Sequence, residues 1–300
     1  MNEVPDLSSG DRTVPNIRAK FLCAAALTLA SGFPVAAQGV ATPWVDGYNS
    51  KTRLIAATVS TPKPMVSAGI EISMAAGWKT YWRNPGDAGG VPPTLDWAAS
   101  SNVATVRMLF PAPSRLKDAS GDSIGYKSTV VFPLEITPKD VAKPVDLKLA
   151  IEFGVCREIC VPAEAKLSLS IPATGNVGTN RAAFDLLTAT LDRVPRKAAE
   201  RRPTDPELKT VTATLTGDKP NLVIEAEFPG GTTGVDLFIE ASDGVYVPMP
   251  AAIAVVSGNV ARFIVDLSTG VEPAELKGRT LTLTFVSPAG AVEATHKLAP

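Results

Sequence analysis

The chain has 300 residues with 29 Lys+Arg, 30 Asp+Glu, one His and three Cys, and 45% of it is hydrophobic. This length predicts two domains, and the balanced charge offers no basic excess for nucleic acid or an anionic membrane. The single His, His296, leaves no His cluster for a transition metal and no base for a Ser-His-Asp triad outside the last few residues.

Taken in chain order, the first feature is an export signal. Arg18 and Lys20 precede an uncharged run from Phe21 to Gly32, followed by Pro34 and the small residues Ala36 and Ala37. A basic region, an apolar region and a small-x-small site in that order predict a cleaved signal peptide over residues 1–37. The apolar run is shorter than the roughly 20 residues a bilayer span requires. Cleavage removes Cys23 and leaves Cys156 and Cys160 in a compartment where disulfides form. No later apolar segment is long enough to predict a membrane span in the mature chain.

Period-two alternation then predicts strands at Leu54 to Val59, Ala68 to Met74 and Val130 to Ile136. The clearest pattern is Val145 to Phe153, with Val145, Leu147, Leu149, Ile151 and Phe153 on one face. Its partner is Ala165 to Ile171, which places Cys156 and Cys160 at or near a hairpin tip. Between the early strands lies an irregular stretch, Gly77 to Gly125, rich in Pro and Gly and holding three of the four Trp. A loop of that length is either functional or hides short strands. Phe184, Leu187 and Leu191 recur at helical spacing and Pro195 ends the run, which predicts one short helix and then a charged linker, Arg196 to Pro206. Seven further strands are expected, at Thr210–Thr216, Leu222–Phe228, Val235–Ala241, Ala251–Ser257, Val260–Val265, Leu281–Phe285 and Val292–Leu298. Short strands at this density point to a second sandwich. His296, within the last of them, reads as a structural residue.

Cys156-Arg157-Glu158-Ile159-Cys160 is the strongest chemical motif. Two cysteines across a turn are able to form a disulfide. Three uses remain open: redox exchange, a structural staple, and soft-metal binding. As a zinc site two thiolates are incomplete, whereas copper(I) accepts few soft ligands, with Met74 or Met108 as candidate additions. Arg157 favours a thiolate at Cys156 and Glu158 opposes it. The second motif runs from Gly77 to Asp87, followed by Asp96-Trp97. Its aromatic residues suit either partner binding or the plugging of a sandwich end. Tyr81 and Trp82, adjacent in an extended segment, should point to opposite sides.

The segments Gly77–Asp87, Phe110–Arg115, Gly125-Tyr126 and Gly154–Pro162 together resemble the amino-terminal, periplasmic domain family of the thiol:disulfide interchange protein DsbD, in its ScsB-like branch. The resemblance covers roughly residues 45–175, and the second β domain fits that branch's layout. It implies an immunoglobulin-like β-sandwich whose cysteine pair takes electrons from a membrane-embedded thiol reductase through a thioredoxin-like domain. The pair then passes them to oxidised periplasmic proteins, such as disulfide isomerases, cytochrome c maturation factors or copper-stress thiol proteins. It also implies that Cys160 forms the mixed disulfide and Cys156 resolves it; by position alone, Tyr81 or Trp82 is a candidate for the family's aromatic cap. These 300 residues hold neither the membrane domain nor the thioredoxin-like domain of full-length members, so both functions are expected from other polypeptides.

The resulting expectation is an all-β protein of two immunoglobulin-like β-sandwiches. The boundaries are a signal peptide over 1–37, a redox sandwich over 38–178, a short helix and linker over 179–206 and a second sandwich over 207–300. The site is the pair Cys156 and Cys160, with Tyr81, Trp82, Arg157 and Glu158 as cap or partner-binding residues. No cofactor and no metal are expected. The partners are thioredoxin-fold proteins and a membrane thiol reductase, without nucleic acid, and the location is periplasmic. The competing expectations are a secreted β-sandwich binding module with a structural disulfide and an aromatic ligand loop, and a copper(I)-handling protein.

Overall fold

The computed structural model describes residues 41–57, 66–118, 121–173 and 181–300. The expected signal peptide and Cys23 lie outside the described residues.

Among the described residues the first half folds into eleven strands: β1 (Val45–Gly47), β2 (Ser50–Ala57), β3 (Val66–Met74), β4 (Lys79–Tyr81), β5 (Thr94–Asp96), β6 (Val103–Met108), β7 (Ser114–Asp118), β8 (Gly121–Lys127), β9 (Thr129–Pro138), β10 (Val145–Cys156) and β11 (Cys160–Ile171). Two sheets form, ordered β1-β2-β3-β9-β6 and β11-β10-β4-β8-β7, with β5 pairing along β10. The alternation in β10 is what builds the core. Val145, Leu147, Leu149, Ile151, Phe153 and Val155 all point between the sheets and are buried there with Ile70, Ile72, Phe132 and Leu134 of the facing sheet. The Gly77 to Gly125 stretch hides four short strands and part of a fifth, as a loop of that length in a compact body often does.

β9 breaks the alternation because both of its faces are covered. Phe132 and Leu134 face the sandwich core, while Val131 faces outward and joins Ile55, Ala57, Ala183 and Leu187. Ala183 and Leu187 belong to helix α1 (Arg181–Leu191), which lies on the outer face of that sheet. Gly69 in the middle of β3 has a packing reason: a Cβ there would sit 2.8 Å from Cδ2 of Leu187.

The second half contains β12 (Arg196–Lys197), β13 (Glu207–Thr214), β14 (Asn221–Glu227), β15 (Asp236–Ala241), β16 (Ala252–Ser257), β17 (Val260–Asp266), β18 (Thr280–Ser287) and β19 (Gly290–Lys297). Its sheets run β12-β19-β18-β15 and β13-β14-β17-β16. Phe228, Phe263 and Phe285 meet at its centre with ring centroids 6.0 to 6.4 Å apart. The charged stretch expected as a linker is built into this sandwich. Arg196 pairs with Val292 in a parallel bridge, and its guanidinium lies 3.3 Å from the fully buried carboxylate of Asp205. Burying that carboxylate is tolerable because Arg196 and the Arg202 N–H both donate to it. His296 sits on β19 opposite Leu281.

The two sandwiches share apolar contacts. Phe238 and Met249 of the second half are buried with the core of the first, and the Trp82 ring packs 5.9 Å from Phe238. Among the described residues, no helix is long and apolar enough to cross a membrane.

Candidate redox site

β10 and β11 pair in unbroken antiparallel register from Val145↔Ile171 to Cys156↔Cys160. The two cysteines are the last rung of that ladder, and Arg157, Glu158 and Ile159 make the turn beyond it. Across the turn the Arg157 N–H donates to the Ile159 carbonyl at 3.2 Å. Cys156 and Cys160 form a disulfide, with Cα atoms 4.1 Å apart. Directly opposed residues of an antiparallel pair hold their Cα atoms at about this distance, so the ladder alone brings the sulfurs within bonding reach.

Parity sets the direction of the sulfurs. Odd-numbered residues of β10 fill the sandwich, so Cys156 points from the outer face of its sheet. It is nonetheless only 1% exposed, because β4 and the segment after it cover it. Lys79 pairs with Cys156 in an antiparallel bridge, and Tyr81, two residues on, shares that face. The Tyr81 hydroxyl lies 2.9 Å from the Cys156 Sγ, to which it donates, and 3.0 Å from the Cys160 Sγ. Tyr81 is 3% exposed. Its ring is sandwiched between two glycines. A Cβ on Gly90 would sit 2.3 Å from the ring, and one on Gly154 would sit 3.2 Å from it. The Gly154 N–H donates to the Val91 carbonyl at 2.9 Å, and the Thr80 hydroxyl donates to the Gly154 carbonyl at 2.9 Å. Cys160, by contrast, is exposed, as are Arg157, Glu158 and Ile159; the Ile159 side chain is 65% exposed.

A buried cation accompanies the pair. Lys79 is 8% exposed, and its Nζ donates to the buried Ser123 hydroxyl at 2.8 Å while lying 6.0 Å from the centroid of the Tyr81 ring. The direct pairing of Lys79 with Cys156 sets their side chains on the same face of the sheet.

The structure thus gathers Cys156, Cys160, Tyr81, Arg157 and Glu158 at one end of the hairpin. Trp82 is placed elsewhere: its ring is fully buried between the sandwiches, and the Arg83 guanidinium lies 4.3 Å over it. Trp78 makes an edge contact with Tyr48 5.4 Å away, and Trp97 packs against the first core. Sequence reasoning passed over Lys79, Gly90 and Gly154. Lys79 was readable, since in Lys79-Thr80-Tyr81 the period of two puts Lys79 and Tyr81 on the same side. Among the described residues no group of three or more His, Cys, Asp or Glu is placed to hold a metal ion.

Residues 52–172 match the family model of the N-terminal domain of the thiol:disulfide interchange protein DsbD. The chain carries a DsbD amino-terminal domain. Within this DsbD-type domain lie both cysteines, Tyr81 and Lys79. Residues 193–300 match a domain family of unknown function, DUF8393. The fold of both halves together is similar to the crystal structure of the N-terminal periplasmic domain of ScsB from Proteus mirabilis, with a TM-score of 0.65 and 20% sequence identity over 86% of this chain and 98% of that one. No curated protein matches the chain. The match to the DsbD N-terminal family supports a thiol–disulfide exchange role for the chain.

Proposed function

We propose that the chain is a periplasmic relay module, which takes reducing equivalents from a membrane-embedded thiol reductase by way of a thioredoxin-fold protein and delivers them to oxidised periplasmic proteins. The observation that carries this reading is the asymmetry of the disulfide. Cys160 is exposed, while Cys156 is buried under a tyrosine whose hydroxyl touches both sulfurs.

In the loading half-cycle a thiolate of the reduced partner attacks the Sγ of the exposed residue, Cys160. The sulfur–sulfur bond breaks and Cys156 leaves with the electron pair as a thiolate, held by the Tyr81 O–H and within the field of Lys79. A stabilised leaving thiolate departs faster, and a charge-assisted hydrogen bond is the strong kind. The partner's second thiolate then attacks its own sulfur in the mixed disulfide and releases Cys160. The module is left as a dithiol and the partner as a disulfide, with two electrons moved. In the unloading half-cycle the Cys160 thiolate attacks a substrate disulfide, and Cys156 resolves the mixed disulfide. The intramolecular bond is restored and the substrate leaves as a dithiol.

The testing measurement is the reduction potential of the Cys156–Cys160 pair against a glutathione or dithiothreitol series. A value between about −180 and −270 mV supports the relay. A value below roughly −300 mV marks a structural bond and overturns it.

A further inference from the structure

The segment Trp82–Asp87 leaves Tyr81 and is fastened to the second sandwich at every turn. Arg83 Nε reaches both carboxylate oxygens of Glu240 at 3.0 Å, and its Nη2 reaches Glu240 and Glu293 at 2.6 Å each. Asn84 donates to the Ile239 carbonyl at 3.4 Å. Asp87 accepts from the Tyr246 hydroxyl at 2.7 Å and from the Met249 N–H at 3.1 Å. These contacts are partly desolvated. Burial opposes the Arg83 cation, yet the two glutamates outweigh it and raise its pKa. Burial, and then the Asp87 contact, push the Tyr246 phenol up. Three residues beyond Asp87 the chain returns to the sulfurs, with Gly90 against the Tyr81 ring and Val91 bonded to Gly154. Both flanks of the Tyr81 cover are therefore anchored through one short segment held by the second sandwich.

We infer that the second sandwich is a positioning module for the redox pair: by holding Trp82, Arg83 and Asp87 it fixes the Tyr81 hydroxyl on the sulfurs of Cys156 and Cys160. Glu240 and Tyr246 are positioning residues that act through Tyr81, which touches the reacting atoms. This gives a role to the half of the chain that matches a domain family of unknown function, and its biological meaning rests on the relay reading.

The test is a double-mutant cycle on the oxidised full-length protein, with dithiothreitol as the reductant. One dithiothreitol thiolate attacks the Cys160 Sγ and Cys156 leaves as a thiolate. The second thiolate closes the dithiothreitol ring and frees Cys160, so two electrons pass and no other reagent is consumed. Glu240→Gln with Tyr246→Phe should slow this reduction about three- to tenfold, the effect of one or two loosened hydrogen bonds. In a Tyr81→Phe background the same pair should change the rate by less than about twofold, because the group they position is gone. Glu225→Gln, which breaks an ion pair of the second sandwich with Arg262, should leave the rate unchanged. An equal slowing in both backgrounds would mean general loosening and would overturn the inference. So would a wild-type rate in Glu240→Arg, which sets one guanidinium against another at Arg83. Dithiothreitol needs no protein partner, so coupling found in a protein that never exchanges with a thioredoxin-fold protein would defeat the relay and support the positioning role.

Discussion

Removing the Tyr81 hydroxyl is the sharpest perturbation of the site, because Tyr81→Phe keeps the ring that fills the space between Gly90 and Gly154 and deletes the hydroxyl that lies 2.9 Å from the Cys156 Sγ and 3.0 Å from the Cys160 Sγ. In the oxidised protein that donor meets a neutral disulfide sulfur. In the reduced protein it meets a thiolate in a site where Cys156 is 1% exposed. A hydrogen bond to a charged group contributes about 1.5–3 kcal/mol, and for a two-electron couple 30 mV corresponds to about 1.4 kcal/mol. The reduced form loses more than the oxidised form, so the potential should fall by about 30–60 mV when Cys156 is ionised. The sign with pH follows from the same balance. The lost bond is worth most to a thiolate and little to a neutral thiol, so the difference between variant and wild type should be largest where the reduced sulfur is ionised and shrink as it is protonated. Equilibration with a dithiothreitol series at several pH values measures this. A potential that is unchanged or raised at every pH, in a variant of wild-type thermal stability, would refute a role for Tyr81 as thiolate donor.

Further outcomes follow from the same geometry. Cys156→Ser should trap an oxidised thioredoxin-fold partner as a mixed disulfide, the Cys160 thiolate attacking the partner's disulfide and releasing one partner thiolate, whereas Cys160→Ser should trap none; non-reducing electrophoresis with the oxidised partner distinguishes them, and trapping by Cys160→Ser alone would reverse the assignment. Lys79→Met removes the buried cation beside Cys156 and should lower the potential in the same direction as Tyr81→Phe, while Lys79→Arg should retain more of the wild-type value. Phe263→Ala opens a cavity in the phenylalanine cluster of the second sandwich and should cost about 3–5 kcal/mol in denaturant unfolding. Gly69→Val forces a side chain into Leu187 Cδ2, which a Cβ would already approach to 2.8 Å; it should cost about 1–3 kcal/mol and displace α1.

The parts of the fold governed by local periodicity were readable from the residues alone. The β10 and β11 hairpin, α1, β14, β17 and β18 each bury an apolar face, so apolar spacing reports them directly. β4 and β5 escaped because each is three residues long and holds its place only by pairing with distant strands. For the same reason the aromatic pair was half legible. Adjacency in an extended segment requires Tyr81 and Trp82 to diverge, but which of them meets the sulfurs depends on the face of the sheet that β10 presents to β4. The fastening of Arg83 to Glu240 spans 157 positions of sequence, and no local pattern records it. Arg196–Pro206 reads as a linker by composition because its one decisive feature, the burial of Asp205 against Arg196, is a tertiary event.

The hairpin also has a consequence for turnover. An uninterrupted ladder, running from Val145↔Ile171 to the cysteine rung, holds the two thiols opposite each other whether or not they are joined. Breaking the bond frees a turn of only three residues, so little chain entropy is released and little must be recovered when the bond re-forms. In the proposed relay, electron donor and electron acceptor should therefore meet the same backbone shape. What tells one from the other is confined to a few ångströms around the sulfurs: the charge on them, and the hydroxyl that answers it.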